Sequence, residues 1–381
     1  MVHISERESE LPDAVIGKML RLAHEDKRII SLGAGEPNFN LPKPLIAEAR
    51  KIAGKCNHYA TPQGMKELRE AIVKKLSKDN KIITNPENIV VTCGSQEALI
   101  LAAACTLDVS EQVILPNPSF LGYTSAFELF DAHIVDVKLK EENKFEIDPD
   151  DLKKVIDKKK TKVIMLNTPA NPTGNVIRRK VLEEVADIAR QNNLYIFSDE
   201  AYEKIVYDQK HVSIGSLNGM EKNVVTFQSF SKSYAMCGFR LGYAVAHNKL
   251  AEAMTKAHVY TTLTAPTISQ LLGIKALSLP NYHISRMVNE YRKRRDLIVR
   301  RLNSLGLSTV MPEGAFYAFS NISHLNNNSF AFAKNLLEKA KVAAIPGREF
   351  GVHGEGYLRF SYAADIESIK KAMDLIEKFL K

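Results

Sequence analysis

The chain has 381 residues, 45% of them hydrophobic and 25% charged, and its formal net charge is +8. This composition is typical of a globular protein with one large domain and a smaller one. The positive charges are spread along the chain, and the longest apolar stretch, residues 98–107, is too short to span a bilayer. We therefore expect neither a nucleic acid nor a membrane as a partner.

The cysteines and the N-terminus indicate the cellular compartment. The four cysteines have neither disulfide nor metal-ligand spacing, so we expect no metal site. The first ten residues are polar and lack the apolar core of a signal peptide. Together these features predict a cytoplasmic protein.

Short β-branched runs alternate with helical patterns from about residue 45 to residue 275. The runs predict seven strands, at residues 89–92, 112–115, 133–137, 162–166, 194–198, 224–228 and 241–246. The segments between them, such as residues 180–191, carry apolar residues at helical spacing. This alternation predicts an α/β fold, with a mostly parallel seven-stranded sheet covered by helices on both faces.

The pattern changes after a long helical stretch at residues 282–305. Strands are predicted at residues 315–319, 342–345 and 357–362, with helices at residues 330–340 and 366–379 between and after them. A further helix at residues 11–28 would pack with them. We therefore expect a large domain at residues 45–280, and a smaller α+β domain formed by residues 281–381 together with the N-terminal segment 1–44.

Polar residues follow several predicted strands at their carboxyl ends, where ligands bind in open α/β sheets. Two of them are the most suggestive. Asp199 closes an apolar strand, where it could cap a helix or hold a positively charged ring nitrogen. Lys232 also follows an apolar strand, where a solvated lysine is least expected, and partial burial would make its amine nucleophilic.

Other residues suit a ligand with an anionic group. The turn Gly94-Ser95-Gln96 opens a helix and could bind phosphate through backbone N–H groups, completed by Ser229 and Arg240. An ordinary capping turn and a surface ion pair are the alternatives. Asn171 could hold its turn or reach a ligand hydroxyl. Arg359 lies inside an apolar strand and needs a partner, for which a substrate carboxylate is suitable.

The ordered set of motifs resembles the class I aminotransferases of pyridoxal 5'-phosphate (PLP) fold type I, essentially from end to end. The likeness is greatest to the archaeal and bacterial aspartate and aromatic aminotransferases. The matching residues include Gly35-Glu36-Pro37, His58-Tyr59, Gly94-Ser95-Gln96, Asn167, Asn171-Pro172-Thr173-Gly174, Asp199, Tyr202, Ser229, Lys232, Arg240 and Arg359.

The resemblance implies a role for each matching residue. Lys232 would hold PLP as an internal aldimine and later move the substrate proton, while Asp199 would pair with the pyridine nitrogen. Asn171 and Tyr202 would hydrogen-bond the ring oxygen, and Phe120 would stack on the ring. The remaining roles are phosphate binding by Gly94, Ser95, Gln96, Ser229, Arg240 and a second subunit's Tyr59, and carboxylate binding by Arg359, Asn171 and Gly35. Such shared sites imply a homodimer.

The implied activity is ping-pong transfer of an amino group from an amino acid to a 2-oxo acid, with 2-oxoglutarate as the expected acceptor. Two departures favour an aromatic or neutral donor over aspartate or alanine. Phe120 stands where aspartate enzymes often have tryptophan, and Gln96 stands where some relatives have a lysine that binds acidic side chains. A PLP β-lyase of the same fold is an alternative. A transcription regulator is a weaker one, because the motifs begin too early for a preceding DNA-binding domain.

Overall fold

The computed structural model describes residue 17 and residues 25–217 and 219–381. Its strands, in chain order β1 to β12, are Ile30–Ser31, Ile89–Thr92, Gln112–Asn117, His133–Lys138, Thr161–Asn167, Tyr195–Asp199, Val224–Ser229, Gly242–Val245, Tyr317–Asn321, Val342–Ala343, Ile345–Pro346 and Tyr357–Ser361. Its α-helices, α1 to α12, are Lys43–Ile52, Lys66–Lys75, Ser95–Thr106, Gly122–Glu128, Pro149–Val155, Arg179–Gln191, Phe230–Ser233, Asn248–Thr261, Thr267–Leu277, Tyr282–Ser304, Ser329–Asn335 and Ile366–Leu380.

The main sheet has seven strands in the order β2-β8-β7-β6-β5-β3-β4. Only β8 runs opposite to the other six strands, so the predicted mostly parallel sheet is confirmed. Side chains alternate along β5 between two cores: Ile164 and Leu166 join one cluster, while Val163 and Met165 join another. A strand buried on both faces needs a helical layer on each side.

Helix α6 shows how such a layer forms. Its apolar residues Leu182, Val185 and Ala189 recur on one face and are buried, whereas the opposite face is charged. Burial of apolar area stabilises this packing by roughly 25 cal/mol per Å². Helices α5 and α12 begin at Asp148 and Asp365, each of which caps its first turn by accepting a backbone N–H hydrogen bond.

Two small sheets form from the C-terminal strands. β11, β12 and β9 make an antiparallel sheet, while β10 pairs in parallel with β1. The single strand predicted at residues 342–345 is thus two strands, because the chain changes sheets at Ala344. The strand predicted at residues 315–319 begins only at Tyr317, since Ala315 has a left-handed φ of 56° that no strand accommodates.

The structure describes only part of the predicted N-terminal segment. The predicted helix at residues 11–28 lies outside the described residues up to residue 24, apart from Gly17, and residues 26–28 form a turn. β1 does join the N-terminal segment to the C-terminal strand β10. The domain limits at residues 44 and 280 stay predictions. Among the described residues, no helix has the length and apolar character needed to cross a membrane.

Candidate active site

A cavity of about 700 Å³ opens at the carboxyl ends of the parallel strands β5, β6 and β7. It gathers residues that are far apart in the chain. Of the residues predicted to form a site, the cavity lining contains Gly35, Ser95, Gln96, Phe120, Asn171, Asp199, Tyr202, Ser229, Lys232, Arg240 and Arg359. Their convergence follows from the sheet, because parallel strands end at one edge.

Asp199 ends β6 with its carboxylate facing the cavity. Tyr123 donates its hydroxyl proton to Asp199 Oδ2 at 2.7 Å, and the Ala201 N–H donates to Oδ1 at 3.0 Å. Burial raises the pKa of the Asp199 carboxyl group, and these two hydrogen bonds oppose the rise because they stabilise the charged form. Asp199 is therefore more than a helix cap: it is a fixed acceptor aimed into a cavity.

Lys232 lies in the short helix α7, directly after β7. The side chain of Ser229 starts this helix by accepting the Ser231 N–H at 3.1 Å. Lys232 Nζ donates to the Gly35 carbonyl at 2.5 Å and lies 5.8 Å from the centre of the Tyr202 ring. The amine is thus held in the same cavity lining as Asp199 and is only partly exposed.

The start of helix α3 and Arg240 form one end of the cavity. Gly94 precedes the helix with a φ of 88°, and no described side chain caps the first turn. A Cβ at Gly94 would lie 2.5 Å from Arg240 Nη2, so only glycine lets the guanidinium approach. Arg240 donates to the Cys237 and Cys93 carbonyls, and no carboxylate among the described residues forms an ion pair with it. This arrangement of donors suits an anion.

Arg359 lies at the opposite side, on β12, and is 2% exposed. It donates to Asn171 Oδ1 at 2.9 Å and to the Gly33 carbonyl at 2.8 Å, both neutral acceptors. Its Nε is buried without a hydrogen-bond partner in the described part of the chain, and burial lowers the pKa of the guanidinium. A buried cation with a free donor is suited to a carboxylate ligand.

Tyrosines complete the floor. The Tyr202 and Tyr317 hydroxyl groups share a hydrogen bond of 2.8 Å, and burial raises the pKa of Tyr202 well above its ordinary value. Tyr317 also lies under the Arg359 guanidinium, 4.4 Å from the ring centre. Sequence reasoning missed Tyr123 and Tyr317. Tyr123 could have been found, because it follows Phe120 by one helical turn.

A buried polar cluster lies behind this floor. Glu200 and Glu203 belong to the same turn as Asp199 and Tyr202, but their side chains do not line the cavity. Lys75 forms an ion pair with Glu203, and Gln228 donates to both carboxylates. Although Glu200, Glu203 and His211 are close enough to hold a metal ion, Lys75 already supplies a cation there.

Two predicted residues lie outside the cavity lining. Gly94 borders the cavity through its contact with Arg240. Tyr59 is 82% exposed and does not reach the cavity of its own chain.

The family model for aminotransferase class I and II matches residues 27–376. The chain belongs to this family. Its curated relatives include the aspartate aminotransferase of Pyrococcus abyssi, 40% identical over 99% of this chain and 98% of the relative. The aromatic-amino-acid aminotransferase 2 of Thermococcus litoralis is 39% identical over the same shares of the two chains.

Solved structures of aminotransferases have the same fold. That of the Thermus thermophilus aspartate aminotransferase with maleate superposes with a TM-score of 0.94 at 32% identity, over 100% of both chains. The aromatic aminotransferase of Pyrococcus horikoshii gives a TM-score of 0.90 at 38% identity, over 95% of this chain and 98% of the other. The predicted family, fold and transaminase activity are confirmed, while the relatives divide between two classes of donor.

Proposed function

We propose that this aminotransferase binds PLP in the cavity, with Lys232 as its covalent anchor. The observation that carries the proposal is the placement of three charged groups around one cavity. These groups are the Lys232 amine, the Asp199 carboxylate and the exposed Arg240 guanidinium beside the start of α3. Each faces the cavity from a different strand end. These are the groups that an aldehyde, a pyridine nitrogen and a phosphate require.

The residues present fit this cofactor. Gly94 leaves room for Arg240 over the first turn of α3, so phosphate would meet the Ser95 and Gln96 N–H groups, Ser229 and the guanidinium. Phe120 offers a ring face, and its edge-on contact with Tyr123, with ring centres 5.4 Å apart, orients it. Asn171 and Tyr202 would bind the ring oxygen.

When bound, PLP supplies a protonated ring that accepts the electrons of the substrate Cα–H bond. Asp199 keeps a proton on the ring nitrogen because its carboxylate is held by Tyr123 and Ala201. Lys232 Nζ carries the proton that leaves Cα. Arg359 binds the substrate α-carboxylate and, with Asn171 and the backbone at Gly35, fixes which substrate bond faces the lysine.

For substrates, we propose an aromatic or neutral amino donor and 2-oxoglutarate as acceptor. The described lining contains three cations, Lys232, Arg240 and Arg359, and the roles above use all three. Gln96 presents a neutral amide that donates to the Gly122 carbonyl at 3.2 Å, and the exposed Glu36 adds a negative charge. A second carboxylate, whether of an acidic donor or of 2-oxoglutarate, therefore meets no spare cation within one chain; a neutral donor needs none, whereas the acceptor needs a polar partner from outside this set of cations. Aspartate and alanine remain alternatives.

We also propose a cytoplasmic homodimer with shared sites. Tyr59 and Tyr260 are 82% and 83% exposed, an unusual state for two large aromatic side chains. A second copy covering them would bring its Tyr59 to the phosphate end of this cavity. Light scattering on the purified protein should give twice the chain mass. A monomer that transfers amino groups at full rate would contradict this part of the proposal.

The activity is tested by mixing the purified protein and PLP with amino donors and 2-oxoglutarate. Formation of glutamate supports transfer, whereas ammonia and pyruvate formed without an acceptor would indicate a β-lyase. Lys232→Ala should abolish transfer and the visible absorption band of the reconstituted protein. Retention of both would refute the assignment. Lys158→Ala, at an exposed lysine outside the cavity, is the matched control.

A further inference from the structure

A buried histidine contacts the helix that opens the proposed phosphate site. His258 lies on α8, which packs along α3, and its side chain is 0% exposed. Its Nδ1 donates to the Pro62 carbonyl at 2.8 Å. Its Nε2 lies 3.2 Å from Glu97 Oε2, as a close ion pair rather than an aligned hydrogen bond.

The two contacts favour a positively charged ring. A backbone carbonyl and an ionised carboxylate both accept hydrogen bonds and donate none. Neither group therefore supplies a proton to a ring nitrogen. A neutral imidazole would place a nitrogen lone pair against one of them. These contacts favour the imidazolium form of His258, with a proton on each nitrogen.

The pKa values agree with this geometry. Burial alone would lower the pKa of His258, but the Cys93 side chain, the Glu97 carboxylate and the Pro62 carbonyl raise it to about 9. Burial alone would raise the pKa of Glu97, but His258, the Thr262 hydroxyl and the Cys93 N–H lower it to about 2. Both members of the pair stay charged across the neutral range.

Glu97 occupies a sensitive position. It directly follows Gln96 in the first turn of α3, and its Oε2 accepts the Cys93 N–H at 2.6 Å. A carboxylate there is attracted by the same helix dipole that would attract a phosphate, and it repels a second anion. Without the imidazolium, the two negative charges would compete for one helix end.

The histidine also reaches the loop that carries Tyr59. Besides the Pro62 contact, Thr267 donates to the His58 carbonyl at 2.7 Å and Thr264 donates to the Thr61 carbonyl at 3.1 Å. The α8–α9 connection therefore supports this loop along its length. His258 is the charged link between the loop and the helix start.

We propose that His258 is a positioning residue for the cofactor phosphate: its imidazolium neutralises Glu97 and ties the first turn of α3 to the Tyr59 loop. This inference rests on the proposed PLP site. It predicts a dependence on charge that simple packing of the histidine would not produce.

The test measures the binding of pyridoxamine 5'-phosphate to the full chain freed of cofactor, by calorimetry near neutral pH. This probe needs no bond to Lys232, so the readout is independent of activity. His258→Gln should raise Kd roughly fivefold, while Glu97→Gln should leave Kd unchanged or lower it. The double variant should return to within about twofold of the unaltered protein, because both charges are gone. His133→Gln, on an exposed strand edge, is the matched control.

The outcomes separate the two proposals. Equal Kd values for His258→Gln and the unaltered protein would overturn the inference, as would a double variant as weak as His258→Gln. If His258→Gln fails to fold, a pH series replaces it. The Kd of the unaltered protein should then rise above about pH 9, and that of Glu97→Gln should rise less; equal rises would refute the inference. No binding by the unaltered protein would instead refute the PLP site itself.

Discussion

The Tyr123 hydroxyl, which belongs to the cavity lining, donates to Asp199 Oδ2 at 2.7 Å. The bond stabilises the charged carboxylate against burial, so its loss should raise the pKa of Asp199 further. In the proposed PLP site, a less ionised Asp199 would keep the ring nitrogen protonated less well. Tyr123→Phe should therefore lower kcat about tenfold, a loss of about 1.4 kcal/mol.

Steady-state kinetics and a pH titration of the reconstituted protein's absorption check this prediction. Because the Tyr123 hydroxyl acts through Asp199, the variant that loses kcat should also show a shifted pH midpoint of the absorption change. Tyr195→Phe serves as control, because Tyr195 lies on the same strand as Asp199 but outside the cavity lining. An unchanged midpoint with lower kcat would mean that Tyr123 only packs.

Arg359 should determine the affinity for the substrate carboxylate. Arg359→Lys keeps the charge but cannot reproduce the paired donors, and kcat/KM for every donor should fall about 30-fold or more, at a cost of about 2 kcal/mol. Arg294→Lys is a matched control, because Arg294 is equally buried but donates to Asn38 and Ala363 away from the cavity. A similar fall in kcat/KM for both variants would indicate general destabilisation rather than carboxylate binding.

Gln96 offers a test of donor class. Gln96→Lys adds a cation to the lining, so kcat/KM for aspartate should rise about tenfold while that for an aromatic donor changes little. Gln191→Lys adds the same charge on the exposed end of α6 and should change neither value. If aspartate is already the preferred donor of the unaltered protein, the proposed preference for neutral donors is wrong.

Loss of the buried ion pair between Lys75 and Glu203 should lower the free energy of unfolding. Lys75→Met leaves two buried carboxylates without their lysine and should cost about 3–5 kcal/mol of unfolding free energy. Adding Glu203→Gln should recover most of that loss. Urea titrations of the single and double variants measure both values, and additive losses would exclude coupling between the two residues.

Glu203 also predicts an acid limit. Burial alone would raise its pKa, but Lys75, Lys204 and His211 lower it to about 2. A depressed pKa contributes stability that is complete above the ordinary glutamate value of about 4.5 and is lost as the pH falls through about 2. The destabilisation caused by Glu203→Gln should therefore shrink as the pH falls from 4.5 towards 2. A constant difference in midpoint would contradict this.

The sequence predicted the main sheet well because most of its strands are buried apolar runs followed by a helix. It predicted the cavity residues because Asp199 and Lys232 are polar residues at the ends of such runs. It failed where distant contacts decide the structure. β1 exists only because β10 pairs with it, and Tyr317 enters the cavity only because the backbone at Ala315 turns through a left-handed conformation.

The turn after β6 serves two sites: Asp199, Ala201 and Tyr202 line the cavity, and Glu200 and Glu203 join the cluster around Lys75. Gain or loss of one residue there would displace Asp199 and Tyr202 from the positions that line the cavity and would take Glu203 away from Lys75. Single residues of this turn can be substituted and studied, but the number of residues in the turn cannot change without disturbing both sites. We expect relatives to differ in the residues of this turn far more readily than in its length.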